Sequence, residues 1–406
     1  MEVQDILDTS KLAFEGDFEQ QVEEILLHVR LSKEEVLRLQ TLFDDLYNAL
    51  SRVWDGIKVH AFGSIVTGLG IKASDVDCYV ELPSWLSPPE KSFLFKARNL
   101  FKLEPWKFQQ LFAISYARVP ILKFYHTPTK CNCDLSFSNA AGVQNSKLIT
   151  YFLNLDVRVL KLAILIKYWS KIHEVTGTNF MSSYSLTLLL IFYLQQIGFL
   201  EPVITLQQNS PELLINHFNH AFNELECHIS NNQTLFQLLE GFFKFYHNFK
   251  FEKYVISLYL GCAIERDLFV DVKTVPLEFS LYHSNLSQKL CQPLRLETAM
   301  CVQDPFEHSR NCAIRVHPKL FKHIMNTFRN AVSDFENNNE RNVLKKLLYR
   351  TIDNTPTKSK DSHRARLKGV QKKFNNNKNK SQHHQKNKQN VQFIKSQLQG
   401  KQQGQR

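Results

Sequence analysis

The stretch 60–82, HAFGSIVTGLGIKASDVDCYVEL, constrains this chain more than any other. Asp75 and Asp77 lie two apart, and in an extended strand residues i and i+2 point to the same face, so both carboxylates look into one space. Upstream, Gly63-Ser64 lets the backbone come close to a ligand. Residues 65–69 are expected to open a brief helix whose free N–H groups can meet an anion. Same-face carboxylates are hard oxygen donors for divalent cations, so a phosphate turn ahead of such a pair suits a metal–triphosphate complex. Taken singly, Gly-Ser is an ordinary surface turn and D-x-D an ordinary solvated strand end; the order of the two carries the reading.

That order resembles the signature of the nucleotidyltransferases of the DNA polymerase β superfamily. The resemblance implies that Gly63 and Ser64 bind triphosphate and that Asp75 and Asp77 begin a carboxylate triad. Its third member is then expected on a neighbouring strand some tens of residues later. Residues 117–126, ARVPILKFYH, read as a strand, and Pro120 places that strand at an edge or marks its start. Turn residues follow at 127–130, and 131–137, CNCDLSF, read as the next strand. Cys133, Leu135 and Phe137 share one face of it; Asn132, Asp134 and Ser136 share the other. A carboxylate amid apolar strands needs a partner, and Asp134 is the candidate third carboxylate; a hairpin aspartate facing water is the plainer alternative.

RVPILKFYH with CDLSFSNAAGVQNSKLI is similar to the template-independent RNA nucleotidyltransferases, the noncanonical poly(A) polymerases and terminal uridylyltransferases. The likeness extends over about 55–350 and is greatest to the nuclear branch of that family. It implies that Asn139 contacts a ribose, and that Asn145 and Ser146 contact the base edge or sugar and the triphosphate. An Asn amide both donates and accepts, which suits these partners. From the residues alone Asn145 also reads as the cap of a helix expected from 147. Lys167 and Lys171 stand i and i+4 on the helix read over 156–172, a spacing that by itself marks a solvated face. The resemblance sets them against the β- and γ-phosphates. In NFMSSYSLTLLLIFYL over 179–194, it sets Ser183 on the triphosphate and Tyr184 on the base; without it, Tyr184 reads as core. In DPFEHSRN over 304–311, uridylyltransferases commonly carry histidine where this chain has Arg310, and His308 stands two residues earlier. Both are candidate base readers.

Elsewhere the pattern describes packing. Residues 17–30 read as a helix, and Ser32 with Glu35 forms a capping box that opens a second one. A helix is expected over 90–102, an aromatic core helix over 235–251, an extended segment over 254–261 and a last helix from Pro318. The acidic opening over 1–5 does not resemble a signal peptide, and the most apolar run, 186–194, is too short to cross a bilayer. Eight scattered cysteines without C-x-x-C fit a reducing interior rather than a zinc finger. Net charge is +11, yet 356–406 holds 14 Lys and Arg against Asp361 alone, so the body is near neutral. Such a segment, rich in Gln and Asn, is expected to be disordered and to attract polyanions, or simply to solubilise. It is the sequence reason to expect the nucleus rather than the cytoplasm.

The expected architecture is an α/β nucleotidyltransferase domain, a small mixed sheet with flanking helices, over 50–150. A mainly helical central domain covers 151–350, helices over 1–49 pack on the central domain, and a disordered basic tail covers 351–406. The expected activity is transfer of UMP from UTP to an RNA 3′ end with two divalent ions, Mg²⁺ or Mn²⁺, and release of pyrophosphate. No membrane partner is expected. Use of ATP on the same scaffold, synthesis of cyclic or branched oligonucleotides, and RNA binding without catalysis are the alternatives.

Overall fold

A five-stranded sheet consists of β1 (Lys58–Phe62), β2 (Val76–Glu81), β3 (Phe108–Ile114), β4 (Ile121–His126) and β5 (Cys131–Ser136), with buried and half-buried positions alternating in β2 and β4. The structure is a computed structural model and describes residues 6–72, 74–86, 90–226 and 229–349; the segment expected to form a basic tail lies outside these. The strand order is β1-β2-β5-β4-β3, with β2 and β5 parallel and the other neighbours antiparallel. Val76, Cys78 and Val80 of β2, Leu122 and Phe124 of β4, and Cys133 and Leu135 of β5 are all buried on one face. By the strand period of two, Asp77, Lys123 and Asp134 belong to the other face.

Helix α1 (Phe18–Val29) and helix α2 (Lys33–Ser51) both start at capping boxes, Asp17 with Gln20 and Ser32 with Glu35. Their apolar stripes go to different cores. Phe18, Val22, Ile25 and Leu26 of α1 join the core of the helical region. Leu39, Leu42, Leu46 and Leu50 of α2 instead join the core under the sheet, with Trp54, Phe93 and Phe101. The expectation that all of 1–49 packs on the central domain is therefore corrected for α2. Each buried leucine contributes about 1.5–3 kcal/mol, and the nearest apolar surface for that stripe is the sheet and α3 (Glu90–Phe101).

The helical region is formed by α4 (Ala141–Asn154), α5 (Val157–Ile172), α6 (Ser183–Gln196), α7 (Leu235–Asn248) and α8 (Pro318–Asn337). A small sheet joins them, with β8 (Tyr254–Ser257) between β9 (Cys262–Glu265) and β10 (Cys301–Gln303). A two-stranded hairpin of β6 (Leu214–Ile215) and β7 (Phe218–Asn219) precedes α7. Among the described residues no helix is long and apolar enough to cross a membrane.

Three local expectations change. The helix over 65–69 is a single 3-10 turn, Gly63–Ile65. The strand read from 117 begins only at Ile121, because Pro120 lacks the N–H that pairing needs. Helix α4 begins at Ala141, six residues before the expected start, so Asn145 lies inside it; Asn139 Oδ1 accepts from Ala141 N at 3.0 Å and serves the helix start instead.

Candidate active site

The pairing register brings the acidic residues together. Asp77 of β2 is opposite Asp134 of β5, and Asp134 is opposite Lys123 of β4, so three charged residues form one row across the sheet. Asp75 stands just ahead of β2. Burial pushes the Asp77 carboxyl up to about 7, and the neighbouring charges of Asp134 and Asp75 push the same way. Asp134 is also raised, chiefly by burial. A cluster of this kind is relieved by a cation, and hard carboxylate oxygens suit Mg²⁺ or Mn²⁺.

Gly63 closes the other wall. Its φ is +73°, and a Cβ there would fall 2.2 Å from Asp77 Oδ2. The glycine of this turn therefore also leaves the space in which Asp77 presents its oxygens. Gly63 N donates to Ser146 Oγ at 2.8 Å, which ties this turn to α4.

A cavity of ≈ 480 Å³ opens from this wall into the helical region. Of the residues singled out from sequence, Gly63, Ser64, Asp75, Asp77, Ser146, Lys167, Lys171, Ser183 and Tyr184 line it. Lys167 is 6% exposed, and its Nζ donates to Leu69 O at 2.6 Å and Ser74 Oγ at 3.3 Å. Burial lowers its pKa to about 7, aided by the charge of Lys171, whose own pKa burial also lowers. Two under-solvated ammonium groups opposite a carboxylate cluster form a receptor for a polyanion carrying its own cations.

Around Tyr184 the contacts converge on a buried carboxylate that sequence reasoning passed over. Asp304, 1% exposed, accepts from Tyr184 Oη at 3.2 Å, Asn145 Nδ2 at 3.2 Å and Arg310 Nη1 at 3.3 Å. Asn145 Nδ2 also donates to Tyr184 Oη at 2.7 Å, while Asn145 Oδ1 is buried without a hydrogen-bond partner. The Arg310 guanidinium lies 5.8 Å from the Tyr184 ring centroid. Asn139, apart from its role at α4, donates to Asn216 Oδ1 of the β6–β7 hairpin at 3.4 Å.

Arg310 does not line the cavity, and neither does His308. Its ring sits among Tyr259 at 4.3 Å, Phe279 at 4.9 Å and Phe218 at 5.9 Å, and burial lowers its pKa to about 4. The expectation that it reads a base beside Arg310 is corrected: His308 is buried among these rings, whereas Arg310 stands at Asp304 and the Tyr184 ring. Sequence reasoning also missed Lys123, which in ILKFYH is a cation on the polar face and meets its carboxylate only through the pairing of β4 with β5. Glu307 forms an ion pair with Arg118, from the loop before β4, and so links the loop over 304–311 to the sheet region.

Comparison with known proteins adds the following. The family described as poly(A) RNA polymerase, mitochondrial-like, central palm domain matches residues 18–154. Caffeine-induced protein 16 of Schizosaccharomyces pombe is 29% identical over 322 residues, covering 74% of this chain and 26% of its own length. Poly(A) RNA polymerase cid11 of the same organism is 26% identical, covering 81% and 66%. Its terminal uridylyltransferase cid1 is 28% identical, covering 56% and 58%. The chain thus spans between about a quarter and two thirds of the length of these relatives. The crystal structure of mtPAP in complex with UTP superposes with a TM-score of 0.71 at 19% identity, covering 86% of this chain and 75% of that one. The Cid1 poly(U) polymerase bound to MgGTP gives 0.67 at 21%, covering 82% and 99%. At these identities the structural likeness is one of fold.

Proposed function

We propose that the chain, which is similar to noncanonical poly(A) polymerases and terminal uridylyltransferases, is a template-independent RNA 3′-terminal nucleotidyltransferase that uses UTP. The observation carrying this is the row of Asp77 and Asp134 with Asp75 beside it, in which Asp75 and Asp77 line the same cavity as Lys167 and Lys171. Asp75, Asp77 and Asp134 would hold two divalent ions, Mg²⁺ or Mn²⁺. When bound, such ions activate the RNA 3′-hydroxyl and offset charge on the transferring phosphoryl group. The chain's own residues position the reactants. Gly63 and Ser64 let the triphosphate approach the backbone, Ser146 and Ser183 offer hydroxyls to it, and Lys167 and Lys171 neutralise its outer phosphates. Tyr184 carries the base, its hydroxyl fixed by Asp304 and Asn145. The free Oδ1 of Asn145 accepts from the nucleotide, and Asn139 borders the ribose side.

The preference for UTP rests on Arg310. Uracil O4 only accepts hydrogen bonds, whereas adenine presents an amino donor at that edge. Arg is donor-only and permanently charged, and it stands beside Asp304 and the Tyr184 ring that would carry the base. A buried donor facing a donor costs about 1–3 kcal/mol, or roughly 5- to 150-fold in selectivity. The measurement is kcat/KM for UTP and ATP on one RNA primer. The wild type is expected to favour UTP and Arg310→Ala to lose that preference. Equal or better use of ATP by the wild type moves the protein to the poly(A) polymerase side.

A pH dependence follows from Lys167. Its lowered pKa, about 7, leaves it mostly neutral at pH 8, and a triphosphate against it favours the charged form. Nucleotide binding at pH 8 is therefore expected to take up close to one proton, and affinity to weaken as pH rises above 7. Calorimetry in two buffers of different ionisation enthalpy measures this uptake; equal heats in both would separate Lys167 from the phosphates. The basic segment over 356–406 supports a nuclear location, testable by imaging the full chain and a chain ending at residue 355.

A further inference from the structure

Lys123 Nζ lies 2.5 Å from Asp134 Oδ1, 2.6 Å from Asp134 Oδ2 and 3.6 Å from Asp75 Oδ2. Both oxygens of one triad carboxylate are therefore engaged by an ammonium, which also leans on a second. The contact is set by the sheet: Lys123 and Asp134 are cross-strand partners on the face away from the core, and Leu122 and Phe124 anchor β4 from the other side. Among the described residues, no three His, Cys, Asp or Glu side chains converge tightly enough to hold a metal ion by themselves. The carboxylates are close in the fold, and Asp134 is directed to Lys123.

We propose that Lys123 is a positioning residue that acts as the resident counter-ion of the carboxylate row, holding Asp134 in register and yielding it when a divalent cation enters. This rests on the nucleotidyltransferase reading of the site. The ammonium offsets like-charge repulsion among three neighbouring carboxylates, so the row stays assembled before a metal arrives. It also opposes that arrival, since an entering cation must share or displace a charge already paired at Asp134. The Lys123 side chain is 38% exposed on a long flexible stem, so it can withdraw without moving β4, whereas Asp134, at 17%, stays in place. The consequence is ordered assembly. The nucleotide-free protein binds its ions weakly, and the triphosphate supplies the further oxygens that make displacement of Lys123 favourable.

The test is Mn²⁺ binding alone, followed by the loss of the free-ion signal in electron paramagnetic resonance on the full chain without nucleotide. Lys123→Met and Lys123→Gln are expected to bind Mn²⁺ about tenfold or more tightly than wild type, because one competing charge is gone. Lys123→Arg, which keeps the charge, stays near wild type. Circular dichroism checks that each variant is folded, and Lys123→Gln, which keeps a polar group beside Asp134, serves if Lys123→Met is not. Equal or weaker Mn²⁺ binding in both neutral variants overturns the proposal; weaker binding would make Lys123 only a support that shapes Asp134. Asp77→Asn separates the two readings. If it abolishes wild-type Mn²⁺ binding while the Lys123 variants match wild type, the metal site stands and the counter-ion role falls. If neither wild type nor any Lys123 variant binds Mn²⁺, both fall.

Discussion

Asp134→Ala abolishes RNA 3′ extension, with kcat/KM falling at least ~10³-fold while the fold is kept. The expectation follows from register. Asp134 is the central member of the row Asp77–Asp134–Lys123, and no other carboxylate among the described residues stands opposite Asp77 across the sheet. Removing it takes one ligand from the proposed ions and leaves the Lys123 ammonium beside Asp75 and Asp77, where it repels a cation more than it helps. The fold should survive, because Asp134 is on the face away from the core built by Cys133 and Leu135. Steady-state extension with circular dichroism measures both. Retention of more than a tenth of wild-type activity would remove Asp134 from the triad.

Gly63→Ala is expected to lower kcat/KM by about 10²-fold, since a displacement near 1 Å at a reacting centre has that order of effect. Two strains coincide here. Residue 63 has φ +73°, which an L side chain adopts at a cost of about 1–2 kcal/mol. In addition, the new methyl would sit 2.2 Å from Asp77 Oδ2 and 3.0 Å from its Cγ, so Asp77 or the turn must move. Gly198→Ala separates these effects. Its φ is +68°, but nothing lies within 4 Å of the added Cβ. It should lose a comparable amount of thermal stability and keep its activity. If Gly63→Ala and Gly198→Ala have the same activity, the close approach of Gly63 to Asp77 plays no part in the reaction.

Much of the site was legible because its parts are short-range. The D-x-D spacing puts two carboxylates on one strand face, and the alternation in CNCDLSF predicts which side of β5 faces the core. The capping box at Ser32 and the pattern over 156–172 locate helices from a few residues each. Lys167 and Lys171 were ambiguous by spacing alone; in the structure both line the cavity and Lys167 is buried, which depends on which helices pack around α5. What was missed is long-range or irregular. β3 has two glutamines in FQQLFAI, a positive φ at Gln110 and a register shift between Gln109 and Phe112, so its alternation is broken by a bulge. The start of α4 has no side-chain cap on Ala140, and the stabilising contact comes from Asn139 one residue further out. Lys123 reads locally as a solvated strand lysine; only the pairing of β4 with β5 reveals its carboxylate. The cage that removes His308 from the base pocket is assembled from Phe218, Tyr259 and Phe279, distant in the chain.

The most direct measurement is incubation of the purified protein with a short single-stranded RNA, Mg²⁺ or Mn²⁺ and each nucleoside triphosphate in separate reactions, resolving the products by length. The account predicts that the RNA is lengthened at its 3′ end, most efficiently with UTP, and that Asp134→Ala lengthens it with none. An unchanged RNA in every reaction with the folded wild-type protein, or extension that persists in Asp134→Ala, would contradict it.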